Sequence, residues 1–437
     1  MPEPSRRSRS RRARTLLGRI AVDVSPLRAS REFRLLTAGN LITNLGTQAT
    51  LVALPYQLYV QTRSPFLTGL LGAFELGPIV AMSLYGGALA DRLDRRRLLL
   101  ADQVALVALT SALAAGALAG HPPLGVLYVL GGLLAGFSSI QNVLRSSIVP
   151  NLVEPDELRP ALALTYGLYQ LTMVIGPAVG GALIALFGVG TAYAVDAASC
   201  LGMALAVLAL PPQPPHGESR PAPIGASIRE GLRFVRSESA LLGSFCIDLA
   251  AMTFGMPRAL FPVLALTVYH AGAAGTGALY ASVAAGATIA ALTTGWLHGL
   301  RRLGLVVMWA VIAWGVAIAL AGLVSSLWAA MALLAAAGAA DSISAVCRST
   351  INQTVTPDAM RGRMSSVFTL VVTSGPRLGD IESGTVASLA TPRFSVLSGG
   401  LGCVVSALLV VRAFPLLARY DAQHALAARE AEPVPAG

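Results

Sequence analysis

Acidic and basic side chains interrupt several long apolar segments of this chain. If these segments cross a membrane, an unpaired charge within them is expensive, so each group is expected to face protein atoms or a water-filled cavity. Such groups are candidates for binding a charged substrate or for carrying a proton. They comprise Glu75, Arg145, Asp196, Asp248, Arg258, Asp341, Arg348, Arg377, Asp380 and Glu382.

Helical spacing places the charges nearest the C-terminus on defined faces. Arg377 and Asp380 are three residues apart and can pair on one helical face, whereas Glu382 points elsewhere. We predict that Asp380 or Glu382, with Arg377 nearby, gains and loses a proton. Burial favours a neutral carboxyl group, and a neighbouring Arg favours the charged one. Asp248 is the reserve candidate for this role, and a static ion pair that braces the helix is the alternative.

Other polar side chains recur at helical intervals within apolar segments. Asp341 and Arg348 are two turns apart on one face. Asn40, Asn44 and Gln48 follow one another at intervals of four residues, which forms a polar stripe on an apolar helix. A stripe of this kind must face protein or water rather than lipid.

The composition identifies the class of protein that carries these groups. The chain has 437 residues, of which 54% are hydrophobic and only 12% charged, with a mean hydropathy of +0.66. Soluble domains carry about 25% charged residues, so the chain is predicted to be an integral membrane protein. The four cysteines lie far apart in apolar segments without CxxC spacing. We therefore interpret them as reduced packing residues rather than metal ligands or disulfides.

The apolar segments form two sets of six, which predicts an all-α fold with twelve transmembrane helices in two six-helix bundles. The expected parts are an Arg-rich cytoplasmic arm (1–34), an N-terminal bundle (35–210), a linker (211–238), a C-terminal bundle (239–417) and a cytoplasmic tail (418–437). The predicted spans are 35–62, 66–90, 98–120, 124–149, 160–188, 190–210, 239–269, 275–298, 304–324, 327–354, 364–390 and 394–417.

The linker begins with the sequence PPQPP and then contains a predicted amphipathic helix. Its apolar side is formed by Ile224, Ile228, Leu232 and Val235. The opposite side carries Arg229, Arg233 and Arg236, which we expect to face lipid phosphates.

Arginine placement predicts the orientation of the chain. All 32 basic residues are Arg, and on the predicted spans 26 of them fall on one side of the membrane and two on the other. Because cytoplasmic loops are enriched in basic residues, both termini are expected in the cytoplasm. The pI near 10.0 is therefore interpreted as topological, and no nucleic-acid partner is expected.

Two sequence patterns recur in corresponding spans of the two halves. RSSI at 145–148 precedes PDELR, and RSTI at 348–351 precedes PDAMR; GPAVGG at 176–181 resembles GPRLGD at 375–380. This recurrence predicts two fused copies of one six-helix unit. The first copy lacks the charges of Arg377, Asp380 and Glu382, and such an asymmetry favours a functional role for them.

The segment GALADRLDRRR at 87–97 closes the second span. It resembles the cytoplasmic loop signature GxLADRxGRR of the major facilitator superfamily, with Asp94 where that family usually has Gly. The resemblance implies that a set of loop residues latches the inward gate, and a purely topogenic loop is the alternative. The implied gating residues are Gly87, Asp91, Arg92, Arg95 and Arg96.

The resemblance narrows to the bacterial enterobactin-exporter branch and covers about Leu35 to Leu417. It is carried by LGTQATLVALPYQLY in the first span, ALADRLDRRRLLLAD, LPPQPP and TVTPDAMRGRMSSV. In this superfamily spans 1, 4, 7 and 10 line a central cavity. The resemblance therefore implies a lining set of Asn44, Gln48, Gln141, Arg145, Asp248, Asp341 and Arg348. Of these, Arg145 and Arg348 could attract an anionic siderophore.

These features predict a transporter of the bacterial inner membrane, and the resemblance implies that it exports a siderophore or similar amphiphile against inward proton flow. A general multidrug or macrolide exporter is the alternative cargo assignment, and a non-transporting membrane sensor is the alternative class. No enzyme motif and no ATP-binding motif occur in the sequence. We therefore expect no cofactor, with the proton gradient as driving force, and a monomer whose partners are its small-molecule substrate and lipid.

Overall fold

The computed structural model describes residues 24–90, 93–213, 224–357 and 360–421. Within these ranges the regular structure is entirely helical. Twelve membrane-length helices form two bundles of six, so the predicted all-α membrane fold is confirmed.

The N-terminal bundle follows the predicted spans to within a few residues. A short helix, Ser25–Ala29, precedes it, and a 3-10 turn, Val149–Asn151, follows its fourth helix. Its helices are α1 (Arg31–Thr62), α2 (Pro65–Ala90), α3 (Arg95–Leu118), α4 (Leu124–Ile148), α5 (Leu158–Phe187) and α6 (Val189–Leu208).

The C-terminal bundle begins after a linker helix, Ile224–Ser237, and is followed by a short helix, Pro415–Ala418. Its helices are α7 (Ser239–Thr267), α8 (Gly272–Thr293), α9 (Leu303–Leu323), α10 (Leu327–Val355), α11 (Arg361–Leu389) and α12 (Pro392–Ala413).

Ten of the twelve helices are both long and apolar enough to cross a membrane by composition alone. The other two are α1 and α11, which are 32 and 29 residues long. Their polar side chains lower their mean hydropathy. Helix α1 packs against α5 and α6, and α11 packs against α7 and against α2 of the other bundle. The two most polar spans are therefore those that carry the predicted polar stripe and the predicted charge cluster.

Helix α7 differs from the predicted continuous span 239–269, because it is interrupted over residues 255–260. Pro257 has no N–H and restricts the residue before it, and a single 3-10 turn follows it. By contrast, Pro177 in α5 and Pro376 in α11 lie inside continuous helices. The interruption frees backbone N–H groups that a continuous helix would use internally.

The two bundles repeat one packing scheme. Helix α1 packs against α5 and α6, and α7 packs against α11 and α12. Gly176 of α5 lies against Gln48 of α1, and Gly375 of α11 lies against Met252 of α7 in the same way. The structure therefore shows the internal repeat that the sequence patterns predict.

The bundles contact each other through α2 with α11 and through α5 with α8. Gly69 of α2 packs against Gly384 of α11, and Gly181 of α5 packs against Gly277 of α8. A Cβ atom at any of these positions would overlap the facing backbone, so the close approach requires glycine. All four lie near the face with the α1–α2 and α5–α6 connections, which is the Arg-poor face.

The linker helix packs against the beginning of α11. Gly231 lies against Val367, and Glu230 forms an exposed ion pair of 2.6 Å with Arg363. Contacts of this helix reach α7 as well, so the linker is attached to the C-terminal bundle.

The predicted apolar side of the linker helix fits the structure in part. Val235 is buried, but Leu232 is exposed, because Gly231 and Val235 rather than Leu232 face the bundle. The side chains of Ile224 and Ile228 lie outside the described part. The Arg side is exposed as predicted, at Arg229, Arg233 and Arg236.

Candidate functional site

A cavity of about 440 Å³ lies between the two bundles. Residues of α1, α2, α4 and α5 form one wall, and residues of α7, α8 and α11 form the other. Its charged lining residues come from three helices that meet at the bundle interface. They are Glu75, Arg258, Arg377 and Asp380.

An ion pair joins the two bundles at this cavity. Arg377 Nε of α11 lies 2.8 Å from Glu75 Oε2 of α2, and both side chains are mostly buried. Gly72, one turn before Glu75, lies directly against the Arg377 backbone. Because Gly72 has no side chain, the two helices approach closely enough for the charges to meet. Arg377 thus forms its ion pair with Glu75 on the facing bundle. Asp380, the predicted intrahelical partner, interacts with Arg377 electrostatically but without an ion pair within 4 Å among the described residues.

Asp380 is held by the interrupted part of α7. Its Oδ1 accepts a hydrogen bond of 3.0 Å from the Ala259 N–H, one of the groups that the break at Pro257 frees. Tyr280 of α8 fixes the same segment, because its hydroxyl donates to the Arg258 carbonyl over 3.0 Å. Asp380 therefore contacts the interrupted segment of α7 and lies at the interface between the bundles.

Glu382, the other predicted proton carrier, lies apart from this group. It is half-buried and does not line the cavity. Its Oε2 is buried without a hydrogen-bond partner in the described part of the chain. The structure therefore brings Asp380 and Arg377 to the cavity and leaves Glu382 outside it.

A buried triad of charges occupies the C-terminal bundle. Arg348 of α10 forms an ion pair of 2.7 Å with Asp248 of α7 and lies 3.7 Å from Asp341, two turns earlier on its own helix. The Arg348 and Asp248 side chains are 6% and 2% exposed, and Asp341 is 21% exposed. Two carboxylates therefore surround one guanidinium group, so its charge is fully compensated.

Arg145 of α4 has a different environment in the N-terminal bundle. One Nη donates a hydrogen bond of 2.7 Å to the Asn44 side-chain oxygen, while Nε and the other Nη are buried without a hydrogen-bond partner among the described residues. Arg145 is only 7% exposed and lines a second cavity of about 410 Å³. This cavity adjoins the first one, since Asn44 and Tyr169 line both.

Of the other predicted lining residues, Gln48 and Gln141 line the first cavity. Gln48 is 5% exposed, and its amide nitrogen lies 3.1 Å from the Met173 sulfur. Gln141 is 4% exposed, and its amide nitrogen has no recorded partner in the described part. Both residues therefore present amide groups to the cavity, whereas Asp248, Asp341 and Arg348, which were also predicted to line it, do not.

Asp102 and Gln103 of α3 are buried polar residues that the sequence interpretation omits. They are 3% and 0% exposed, and Gln103 donates a hydrogen bond of 3.2 Å to Asp102. Asp102 interacts electrostatically with Arg145. Its position within the predicted span 98–120 is the signal that could have identified it.

Asp196 of α6 is an internal packing residue. Its carboxylate accepts a hydrogen bond of 2.6 Å from Thr50 of α1 and weaker bonds from Ser199 and Cys200. The Thr50 bond ties α6 to α1. Asp196 itself lines neither cavity, so these contacts fit a packing role.

The predicted gating loop is described in part. Asp91 and Arg92 lie outside the described residues, and Gly87 lies within α2. Asp94 caps α3, because its carboxylate accepts the Arg96 and Arg97 N–H groups. Its φ of −59° requires no glycine, which explains why Asp can replace the usual Gly.

The same loop is tied to the end of α6 and to the start of the linker. The Arg96 guanidinium donates to the Val207 and Leu208 carbonyls. The Arg95 N–H donates to the Gln213 carbonyl over 3.0 Å, and the Gln213 N–H donates to Asp94 over 3.2 Å. Residues 94–96 are therefore attached to the end of α6 and to the start of the linker.

The four cysteines are free thiols; Cys200, Cys347 and Cys403 are buried, and Cys246 is half-buried. Within the described part of the chain, no group of three or more His, Cys, Asp or Glu residues could hold a metal ion.

Comparison with known proteins gives results that agree with this architecture. Residues 21–434 match the family described as transmembrane secretion effectors. The chain is 30% identical to the enterobactin exporter EntS of Citrobacter koseri over 95% of this chain and 98% of the relative. It is also 30% identical to EntS of Shigella boydii serotype 4, over 91% and 95% of the two chains.

Solved structures support the same fold. The nucleoside transporter NupG superposes with a TM-score of 0.73 at 15% identity, covering 88% of this chain and all of NupG. A POT family transporter in complex with 5-aminolevulinic acid gives a TM-score of 0.68 at 13% identity, covering 89% and 97%. At these identities the similarity establishes the two-bundle fold.

Proposed function

Since this chain belongs to the transmembrane secretion effector family of major facilitator transporters, we propose that it exports a siderophore or a similar amphiphilic molecule in exchange for protons. It is a multi-pass membrane protein and a transporter, not an enzyme. The proposal depends on the Glu75–Arg377 ion pair, which joins the two bundles beside a cavity that contains Asp380. The relatives named as enterobactin exporters support the choice of cargo.

Proton binding acts on the contact between α2 and α11. A proton on Glu75 removes the negative charge that holds Arg377. Arg377 then pairs with Asp380, which lies three residues further along α11 and within reach on one helical face. The contact between the bundles thereby loses its ion pair, and the halves rock around the cavity.

Breaking the Glu75–Arg377 ion pair and moving a proton across the membrane potential involve energies of the same order. Breaking a buried ion pair by neutralising one partner costs about 3–5 kcal/mol, and the Glu75 and Arg377 side chains are 16% and 21% exposed, so the cost here falls toward the lower figure. A membrane potential of 100 mV supplies about 2.3 kcal/mol for each charge that crosses. One or two protons that cross this potential therefore release energy of the same order as the cost of breaking this ion pair.

We place the chain in the bacterial inner membrane with both termini in the cytoplasm. The placement of Arg supports this orientation. The glycine contacts between the bundles then lie at the periplasmic face, and the cavity beside Arg145 lies in the cytoplasmic half. Cargo therefore enters from the cytoplasm.

Everted membrane vesicles test this proposal. We expect inward transport of enterobactin, driven by an acidic vesicle interior, to be lost in Glu75→Gln and Asp380→Asn. Glu382→Gln is the matched control, because Glu382 lies on the same helix outside the cavity, and it should retain transport. Full gradient-driven transport in both cavity variants would refute the proton role, and loss in Glu382→Gln alone would move that role to Glu382.

The same vesicles distinguish the alternative cargo and the alternative class. Stronger competition by cationic dyes or macrolides than by siderophores would indicate a multidrug exporter. Failure of any compound to accumulate, with folded protein present in the vesicles, would favour a membrane sensor.

A further inference from the structure

Arg145 and Arg348 occupy corresponding positions in α4 and α10, each at the start of a repeated RS[ST]I sequence. Arg348 lies between two carboxylates, at 2.7 Å from Asp248 and 3.7 Å from Asp341. Arg145 instead donates to the neutral amide oxygen of Asn44. The two halves thus hold equivalent guanidinium groups in different electrostatic surroundings.

Asn44 is the counterpart of Asp248. Gln48 of α1 and Met252 of α7 occupy matching positions, since each packs against the glycine of a repeated Gly-Pro pair. Asn44 precedes Gln48 by four residues, and Asp248 precedes Met252 by four residues. The acid that neutralises the arginine in the C-terminal half is therefore an amide in the N-terminal half.

Because Asn44 stands where the other half has Asp248, Arg145 lacks the ion-pair partner that Arg348 has and can bind an anion. Its Nε and one Nη are buried without a hydrogen-bond partner among the described residues, and no carboxylate there lies within 4 Å of them, whereas the buried Nη1 of Arg348 meets Asp248 at 2.7 Å. Asp102 attracts Arg145 electrostatically, but its recorded hydrogen bond is from Gln103, and the described residues show no Arg145–Asp102 ion pair within 4 Å. A buried cation with unpartnered donors is costly, and an anionic ligand would satisfy it.

The cavity around Arg145 has room for such a ligand. Its volume is about 410 Å³, and apart from Arg145 and a few polar groups its walls are apolar or aromatic. The apolar part is formed by Leu41, Val149, Leu162 and Leu168, with Tyr166 exposed beside them. These walls fit an apolar body rather than a free inorganic anion.

We propose that this cavity is the entry site for cargo and that it selects amphiphilic anions. A carboxylate, phosphate or other acidic oxygen of the ligand pairs with Arg145, and its apolar body packs between α1 and α5. Because Asn44 and Tyr169 line both cavities, the ligand passes from here to the cavity between the bundles. The inference rests on the proposed export function and specifies the substrate class of that function.

Equilibrium binding tests this inference without any gradient. The protein is placed in nanodiscs of zwitterionic phosphatidylcholine and titrated with 1-naphthoate or with the neutral 1-naphthamide, and binding is followed by calorimetry. We expect the acid to bind more tightly than the amide. Asn44→Asp should weaken naphthoate binding by roughly tenfold or more, because the new carboxylate pairs with Arg145 as Asp248 pairs with Arg348.

Two further variants complete the design. Arg145→Gln should reduce naphthoate binding to the level of the amide, and Asp248→Asn should leave naphthoate binding at this cavity unchanged. Equal naphthoate affinity in the wild type, Asn44→Asp and Arg145→Gln would overturn the anion site, even if proton-driven export is intact. Conversely, loss of gradient-driven export with intact, Arg145-dependent binding would refute the coupling mechanism and keep the site.

Nanodiscs that contain phosphatidylglycerol distinguish cargo from lipid. Unchanged naphthoate affinity in these discs supports a site for soluble amphiphiles. Strong competition by the anionic lipid that disappears in Arg145→Gln would identify a lipid headgroup site and overturn the entry-site assignment.

Discussion

Removing the charge of Arg348 should destabilise this protein far more than removing that of Arg145. Both residues sit at the same position of the repeat and are almost equally buried, at 5% and 7% exposed. Methionine keeps much of the apolar stem of Arg and lacks the charge. The pair Arg348→Met and Arg145→Met therefore compares two electrostatic environments at matched sites.

The expected difference follows from the partners of each arginine. Arg348→Met leaves Asp248, whose side chain is 2% exposed, without its counter-charge, and breaking a buried pair in this way costs about 3–5 kcal/mol. Arg145→Met removes one hydrogen bond to Asn44, worth about 1.5–3 kcal/mol because it involves a charged group. Both substitutions remove two guanidinium nitrogens without a hydrogen-bond partner among the described residues, so that effect cancels in the comparison.

The net prediction is a stability difference of about 2 kcal/mol between the two variants, or roughly thirtyfold in the folded-to-unfolded ratio. Thermal unfolding in a mild detergent with a thiol-reactive dye measures it, because Cys200, Cys347 and Cys403 are buried in the native protein. The double variant Asp248→Asn/Arg348→Met should recover part of the loss. Equal destabilisation by Arg145→Met and Arg348→Met would refute the claim that the arginines differ in charge compensation.

Two structural contacts give further predictions. Gly277→Val should block transport while the protein still folds, because the new side chain overlaps the backbone of α5 near Pro177; vesicle transport measures this effect, and Gly125→Val, where no atom lies within 4 Å, should be normal. Asp94→Ala should lower thermal stability by about 1 kcal/mol through loss of the α3 N-cap; an unchanged unfolding midpoint would contradict the capping role.

The fold could be predicted from the sequence because its main determinants are local. Apolar runs of about 20 residues specify the spans, and the recurrence of RS[ST]I and of the Gly-Pro sequences in corresponding spans indicates two equivalent bundles. The break in α7 could not be predicted, because Pro177 and Pro376 lie in continuous helices whereas Pro257 lies in an interruption. Whether a helix continues through proline depends on its neighbours, which a single sequence does not reveal.

The candidate site could be predicted only in part, since helical spacing reveals neighbours on one helix and not across an interface. Spacing indicated Asp380 as a partner of Arg377, but the closest acid is Glu75, which is remote in sequence and comes near through the glycine contact of α2 with α11. Asp248 beside Arg348 is likewise an interhelical contact. Charges that meet between helices require the tertiary packing to be known.

Of the two contacts between the bundles, α2–α11 includes an ion pair and α5–α8 has only uncharged positions at the corresponding sites, which fits proton coupling through the first contact alone. The α2–α11 contact combines close glycine packing with the Glu75–Arg377 ion pair. The α5–α8 contact has close glycine packing at Gly181 and Gly277, and the α5 counterparts of the α11 charges are uncharged. In the proposed cycle a proton therefore alters the free energy of the first contact and leaves that of the second unchanged. We expect the second contact to act as a pivot, so a charged side chain introduced there should impair the movement of the bundles without changing proton binding.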